Sequence, residues 1–147
     1  MATHRAEATW EGDLASGTGR VTLDSGAAGT MHVSWKQRTE GGVGGQTSPE
    51  ELIAAAHASC FAMALSHGLN QAGHVPQRLS VAAATTIEPS EGGFAITSSN
   101  LKVRGAVPGI DRDAFETEAR GAAEGCPVSG ALASNVDISI EAELEEA

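Results

Sequence analysis

The sequence predicts an α+β fold in which antiparallel β-sheets wrap around central buried helices, and three patterns predict it. Apolar and polar residues alternate in several separate stretches, as half-buried strands require. One long segment, from Pro49 to about His67, is apolar on nearly every face and carries helix-start signals at its front. The strand pattern then returns after that segment, giving two sheets or one long curved sheet.

The first strands lie in RAEATWE (Ala6, Ala8, Trp10), GRVTLD (Val21, Leu23) and TMHVSW (Met31, Val33, Trp35). With DSGAAG as the turn between the last two, they form an antiparallel meander. The stretch EGGVGGQ at 40–46 is a flexible loop; no Gly-Lys-Ser/Thr follows it, so it is not a phosphate loop. Ser48 then caps a helix with Pro49 at its first position and Glu51 completing a capping box, and Gly68 is its expected stop. Its apolar residues, among them Leu52, Ile53, Phe61, Met63, Leu65 and many alanines, predict a helix enclosed on all sides by sheet or by a partner chain. In a domain this small, such enclosure is easier to build in a dimer. Strand patterns resume in LSVAAATTIE (Leu79, Val81, Ala83, Thr85, Ile87), in GFAITSSNLKVRGAV after a PSEGG turn, and in NVDISIEAEL (Val136, Ile138, Ile140). Between the last two, a second helix fits DRDAFETEARGAAEG, capped by Asp111. A third starts at Cys126, with Pro127 at its first position.

Composition bounds the function. A chain of 147 residues with 41% hydrophobic residues reads as one domain, 1–147. The formal net charge is −10, and the nine Lys and Arg form no cluster that could neutralise a run of phosphates, which argues against nucleic acid. No stretch reads as a membrane span. The N-terminus, MATHRAEATWEGD, lacks the basic start, apolar core and small-residue cleavage site of a secretory signal, predicting a cytoplasmic protein. The EAELEEA end reads as a strand edge followed by a solvated tail.

Two cysteines are then the most informative residues. In a reducing compartment a disulfide between them would be transient and catalytic rather than a structural staple. Cys126 falls at a helix N-cap, where unpaired N–H groups and the positive dipole end favour thiolate. Cys60 lies mid-helix on an apolar element, so burial alone raises its pKa, and it needs a cation to react. Arg38, just before the loop that leads to this helix, is the candidate activator. On this argument alone Cys126 is the more acidic thiol.

The segments AEATWEGD, Arg38 followed by a glycine-rich loop, TSPEELIAAAHASCFAMALS, VPGID at 107–111 and GCPVS around Cys126 resemble the osmotically inducible protein C family of hydroperoxide peroxidases, from about residue 4 to 144. The HAACFSMAL-like helix favours the osmotically inducible branch over the sister organic hydroperoxide resistance branch. The resemblance implies Cys60 as the peroxidatic thiol, Cys126 as the resolving thiol, Arg38 as the thiolate-stabilising cation and Glu50 as the carboxylate that holds that arginine. It further implies organic hydroperoxide as substrate, an external dithiol as reductant, and no metal, flavin or haem. Glu50 and Cys60 on one straight helix would lie about 15 Å apart along its axis. Either the helix bends, or one subunit delivers Arg38 and Glu50 to the Cys60 of the other in an intertwined homodimer, as the family's architecture also implies.

Two other readings compete. His57, Cys60 and Cys126 could form a metal half-site or a cysteine–histidine pair, although zinc wants a fourth ligand and a histidine on a buried helix is more often a hydrogen-bonded core residue. A non-enzymatic stress protein could instead bind an apolar ligand and use the cysteine pair as a redox sensor.

Overall fold

The computed structural model describes residues 1–146 and divides into two compact units, one ending at Leu52 and the other starting at Ile53. In the first unit, β1 (Ala6–Glu11), β2 (Thr18–Leu23) and β3 (Thr30–Val33) form the expected antiparallel meander. Its last strand stops earlier than the alternation suggested. Ser34 leaves the strand and caps a short helix, α1 (Trp35–Thr39), its hydroxyl accepting from the Gln37 N–H at 3.1 Å. Trp35 and Arg38 are therefore helical, because a serine that caps the backbone ends a ladder as effectively as a turn. The glycine-rich loop ends in a two-residue strand, β4 (Gln46–Thr47), paired parallel to β3. Gly19 must be bare: a Cβ there would stand 2.7 Å from Trp10 Cε3 and 2.6 Å from Val33 Cγ2. Trp10 lies across it, 40% exposed.

The long helix α2 runs Pro49–Gln71. Ser48 Oγ accepts from the Glu51 N–H at 3.0 Å, while the Glu51 carboxylate accepts from Thr47 Oγ1 at 2.7 Å. The helix passes through Gly68, the expected stop, and ends one turn later at Gly73. Gly73 takes φ +87° while the His74 N–H reaches back to Leu69 O at 2.8 Å, a Schellman closure. A helical glycine alone terminates nothing; only one free to adopt positive φ does. Gly68 instead makes room, since a Cβ there would sit 3.0 Å from Glu118 Oε2.

Within the single chain α2 is not enclosed on all sides. Its buried stripe is His57, Phe61, Leu65 and Leu69, spaced four apart, whereas Ala55, Ala56 and Ser59 are exposed and Met63 is 69% exposed. One three-stranded sheet covers one side of a helix and leaves the other open. By length and composition α2 is also apolar enough to cross a membrane, contrary to the sequence reading. Its buried stripe is committed to a protein core, as in a core helix of a globular domain.

The second unit contains the rest of α2 with β5 (Arg78–Ser90), β6 (Gly93–Ala106), α3 (Arg112–Gly125), α4 (Pro127–Leu132) and β7 (Asp137–Leu144). The sheet order is β5-β6-β7. β5 and β6 form a long antiparallel hairpin closed by Glu91–Gly92, with Gly92 at φ +85°. Pro89 is tolerated in β5 because that strand is an edge. β7 pairs parallel to β6, not antiparallel as the sheet was read. The two helices between them carry the chain back to the same end of the sheet, the connection a parallel pair needs. Asp111 caps α3 through the Ala114 N–H at 2.8 Å, and Cys126 ends α3 and starts α4.

The core of this unit joins Phe61, Leu65 and Leu69 of α2 to Leu101 and Val103 of β6 and to Phe115, Ala119 and Ala122 of α3. Each large side chain buried there contributes about 1.5–3 kcal/mol. Phe115 lies directly on the backbone of β6 at Gly105, where an added Cβ would stand 2.6 Å from Phe115 Cζ and 2.7 Å from Cε2. Gly105→Ala is therefore expected to destabilise the fold by about 1–3 kcal/mol through overpacking, read as a lower urea midpoint at unchanged slope. An unchanged midpoint would show that this packing does not constrain the sheet.

Candidate active site

In the first unit, α1 and the start of α2 bring together Arg38 and Glu50, two of the four residues singled out in the sequence. Arg38 Nε and Nη2 both reach Glu50 Oε1 at 3.0 Å, and the guanidinium lies 6.0 Å from the centre of the Trp35 ring. Glu50 is 5% exposed, and its Oε2 is buried with no hydrogen-bond partner among the described residues. A buried carboxylate is costly unless a cation holds it. The carboxylate in turn orients the planar guanidinium, keeping a fixed positive group where a flexible surface arginine would sample many rotamers.

In the second unit, α2 and the α3–α4 junction bring together the other two. Cys60 is half-buried and Cys126 is 1% exposed; both are free thiols, and their sulfurs lie 2.9 Å apart. A disulfide needs about 2.05 Å, so the pair can close with little backbone movement. At this separation the Cys126 thiol donates a hydrogen bond to the Cys60 sulfur, and the two titrate as a pair.

The environment decides which sulfur carries the charge. Burial pushes the Cys60 thiol up, and the hydrogen bond with Cys126 pushes it further, against a smaller opposing effect of the Val128 N–H. Burial also pushes Cys126 up, but Cys60, the Ser129 N–H, the Ser129 hydroxyl and the Val128 N–H together outweigh it, leaving Cys126 more acidic than an ordinary thiol. Cys126 makes no capping hydrogen bond of good geometry, so the N–H groups of α4 act on its sulfur as nearby dipoles. Within this unit the shifts run in opposite directions, Cys60 up and Cys126 down, the lowering of Cys126 coming first from its hydrogen bond with Cys60 and then from Ser129 and Val128, and among the described residues no cation acts on Cys60.

Sequence reasoning placed His57 as a packed core residue, and it is wholly buried. It missed the two serines that satisfy the ring. Ser99 Oγ of β6 lies 2.6 Å from Nδ1, and Ser129 Oγ of α4 lies 2.8 Å from Nε2. No local pattern marks a serine as the partner of a histidine far away in sequence. Burial holds the His57 pKa below its ordinary value of 6.5. As pH falls through 6.5 the unfolded chain gains a proton that the folded chain refuses, so stability falls toward acid and levels off below the folded pKa. The expected slope from this group is at most about 1.4 kcal/mol per pH unit. Thermal unfolding between about pH 5 and 8 should show it, and His57→Gln should remove that part of the slope.

A groove of about 350 Å³ opens beside Ser129, with Ala123, Ile138 and Ile140 among its lining, and does not include Cys60. Among the described residues no group of three or more His, Cys, Asp or Glu is placed to hold a metal ion, and both ring nitrogens of His57 are occupied by serines.

Two free thiols within reach of a disulfide, one at a helix N-terminus, on an α+β scaffold, are the arrangement of a thiol redox protein, in which one cysteine pair can be made and broken. The sequence matches the family described as OsmC-like protein over residues 41–141. It is 41% identical over 142 residues to Peroxiredoxin OsmC of Escherichia coli, covering 96% of this chain and 98% of that one. It is 32% identical to the organic hydroperoxide resistance protein OhrB of Bacillus subtilis, again over 96% and 98%. The crystal structure of OhrB from B. subtilis superimposes with a TM-score of 0.74 over 95% of this chain and 98% of that one. The chain belongs to the OsmC family, and it is more similar to the E. coli peroxiredoxin than to OhrB.

Proposed function

We propose that the protein is a thiol-dependent peroxidase of the cytoplasm that reduces organic hydroperoxides to alcohols, in defence against oxidative and osmotic stress. The observation that carries this reading is the Cys60–Cys126 pair, reduced and 2.9 Å apart. The names of its relatives, a peroxiredoxin and organic hydroperoxide resistance proteins, support it. The Cys60 thiolate attacks the distal oxygen of the hydroperoxide, the O–O bond breaks, and alkoxide leaves as alcohol. Cys60 becomes a sulfenic acid, Cys126 displaces hydroxide from it, and a disulfide forms. An external dithiol restores both thiols by exchange through a mixed disulfide. Sulfur supplies both electrons, so the balance closes without a metal, flavin or haem.

Cys60 is the peroxidatic thiol although its own surroundings raise its pKa, and Arg38, held by Glu50, is the cation that activates it. The two groups are supplied by different subunits of an intertwined homodimer. Glu50 and Cys60 lie about 15 Å apart along one unbroken helix, and α2 keeps an apolar face that the single chain leaves open, Met63 included. Both features favour a partner subunit over one chain folding back on itself. The family match also runs across the junction between the two units, which supports reading 1–147 as a single OsmC-like domain.

Steady-state consumption of cumene hydroperoxide and of hydrogen peroxide, with a dithiol present, tests the reading. Many equivalents consumed per subunit, with preference for the organic peroxide, is the expected result. A protein that oxidises once and stops is a redox sensor, and the peroxidase reading fails.

A further inference from the structure

Helix α2 meets the start of α4 through two polar contacts. The Cys126 thiol reaches the Cys60 sulfur at 2.9 Å, and the Ser129 hydroxyl lies 2.8 Å from His57 Nε2. The two contacts are in register. His57 precedes Cys60 by one turn of α2, while Cys126 is the cap and Ser129 the third residue of α4. Residues at these spacings share one side of their helix. The position of the first contact therefore sets where the sulfurs of the second one fall.

Three observations mark the His57–Ser129 contact as more than packing. Among the described residues Ser129 is the only one of α4 that is buried, so this short helix is seated through a hydroxyl and not through an apolar side chain. His57 is wholly buried in a stripe otherwise filled by Phe61, Leu65 and Leu69. A buried polar pair roughly breaks even for stability against an apolar one, so the fold itself does not call for it. Finally, His57 Nδ1 lies 2.6 Å from Ser99 Oγ of β6, the central strand of its sheet. One ring thus ties α4 to the middle of the sheet. Apolar surfaces slide over one another at little cost, whereas a hydrogen bond of 2.8 Å is lost by about 3.6 Å. Buried polar residues fix the register of packed helices in the same way.

We propose that His57 is a positioning residue for the disulfide step: it latches α4 to α2 and to the sheet, and so holds the Cys126 sulfur within reach of Cys60. This deepens the peroxidase reading and rests on it for the role of the disulfide. The link from Ser129 to Cys126 runs through backbone. The Gly130 N–H donates to the Cys126 carbonyl at 3.0 Å, closing the first turn of α4 across both residues, and Pro127 between them has its φ fixed by its ring. The Ser129 hydroxyl acts through that turn and need not touch the sulfur. To form the bond, the sulfurs close from 2.9 Å to about 2.05 Å. A misplacement of about 1 Å at such a step can cost about 10²-fold in rate.

The test is thiol–disulfide exchange of the full chain with glutathione, which needs no hydroperoxide. The two protein thiols give up their hydrogens as the Cys60–Cys126 bond forms, and glutathione disulfide is reduced to two glutathione thiols. The equilibrium constant is the effective concentration of one protein sulfur at the other. Ser129→Ala is expected to lower it about tenfold. Ser129→Thr keeps the hydroxyl and is expected to restore it; Ser129 lines the groove of about 350 Å³, which has space for the added methyl. His57→Leu should match Ser129→Ala, and the double variant should fall no further than either alone, because both remove one contact. A role in stability alone would lower the unfolding midpoint and leave the exchange equilibrium unchanged. That result in Ser129→Ala overturns the proposal, as does a double variant whose losses multiply. Should His57→Leu fail to fold, Ser129→Ala against Ser129→Thr decides, and equal losses in the two overturn the proposal. If the native chain closes its disulfide with glutathione but consumes no hydroperoxide, the peroxidase reading fails while the variants still decide the latch.

Discussion

Cys60→Ser is expected to remove hydroperoxide turnover, by roughly 10³-fold or more, while leaving the fold intact. The loss follows from the chemistry of the first step. A thiolate is a strong nucleophile toward a weak O–O bond, whereas a serine hydroxyl is barely ionised at neutral pH and its oxygen cannot be taken to a sulfenic acid. Cys126 is not expected to take over the role, because the residue is 1% exposed and its thiol is engaged with the Cys60 sulfur. Cys126→Ser should behave differently: it consumes one equivalent of peroxide and stalls, since the sulfenic acid has no thiol to close on. Stopped-flow loss of cumene hydroperoxide, with and without dithiol, separates the two. Turnover surviving in Cys60→Ser would reverse the assignment of the cysteines.

The second large effect concerns Arg38. Arg38→Ala is expected to slow the peroxide step by roughly 10²–10³-fold, the scale of losing one preorganised charge from a partly desolvated site. Glu50→Ala should approach the same loss, because Arg38 Nε and Nη2 both rest on Glu50 Oε1 and the freed guanidinium would no longer be fixed. The same residue tests the composite site. When Arg38→Ala and Cys60→Ser chains are co-expressed in equal amounts, each homodimer is inactive. If Arg38 and Cys60 of one site come from different subunits, every heterodimer holds one intact site, and the mixture recovers about a quarter of native activity. If both come from one subunit, no intact site exists and no activity returns.

Most of the fold was legible because its signals are local. Alternation located β1, β2 and the β5–β6 hairpin, and the caps at Ser48 and Asp111 set the helix starts within a residue. The misses were non-local or turned on backbone geometry. That β7 runs parallel to β6 depends on where two helices deliver the chain, and alternation within a strand is blind to direction. The end of α2 at Gly73 instead of Gly68 depends on which glycine takes positive φ. Ser34 carried the cap signal for α1, but the apolar alternation through Trp35 outvoted it. Among the candidate site residues, the cysteines and Arg38 stood out by residue chemistry and Glu50 only through the family resemblance; the structure brings Arg38 to Glu50 and Cys60 to Cys126. Ser99 and Ser129 did not stand out, because a serine becomes informative only once the fold sets it against His57.

The most direct test of the central claim is the intact mass of the reduced native chain after one equivalent of cumene hydroperoxide in the absence of reductant, beside that of Cys126→Ser. The account predicts that the native chain loses two hydrogens, with peptide mapping placing the disulfide between Cys60 and Cys126, and that Cys126→Ser gains one oxygen at Cys60 trapped by a dimedone-type reagent. A native chain that gains oxygen without closing the disulfide, or a Cys126→Ser chain that takes up none at Cys60, would contradict it.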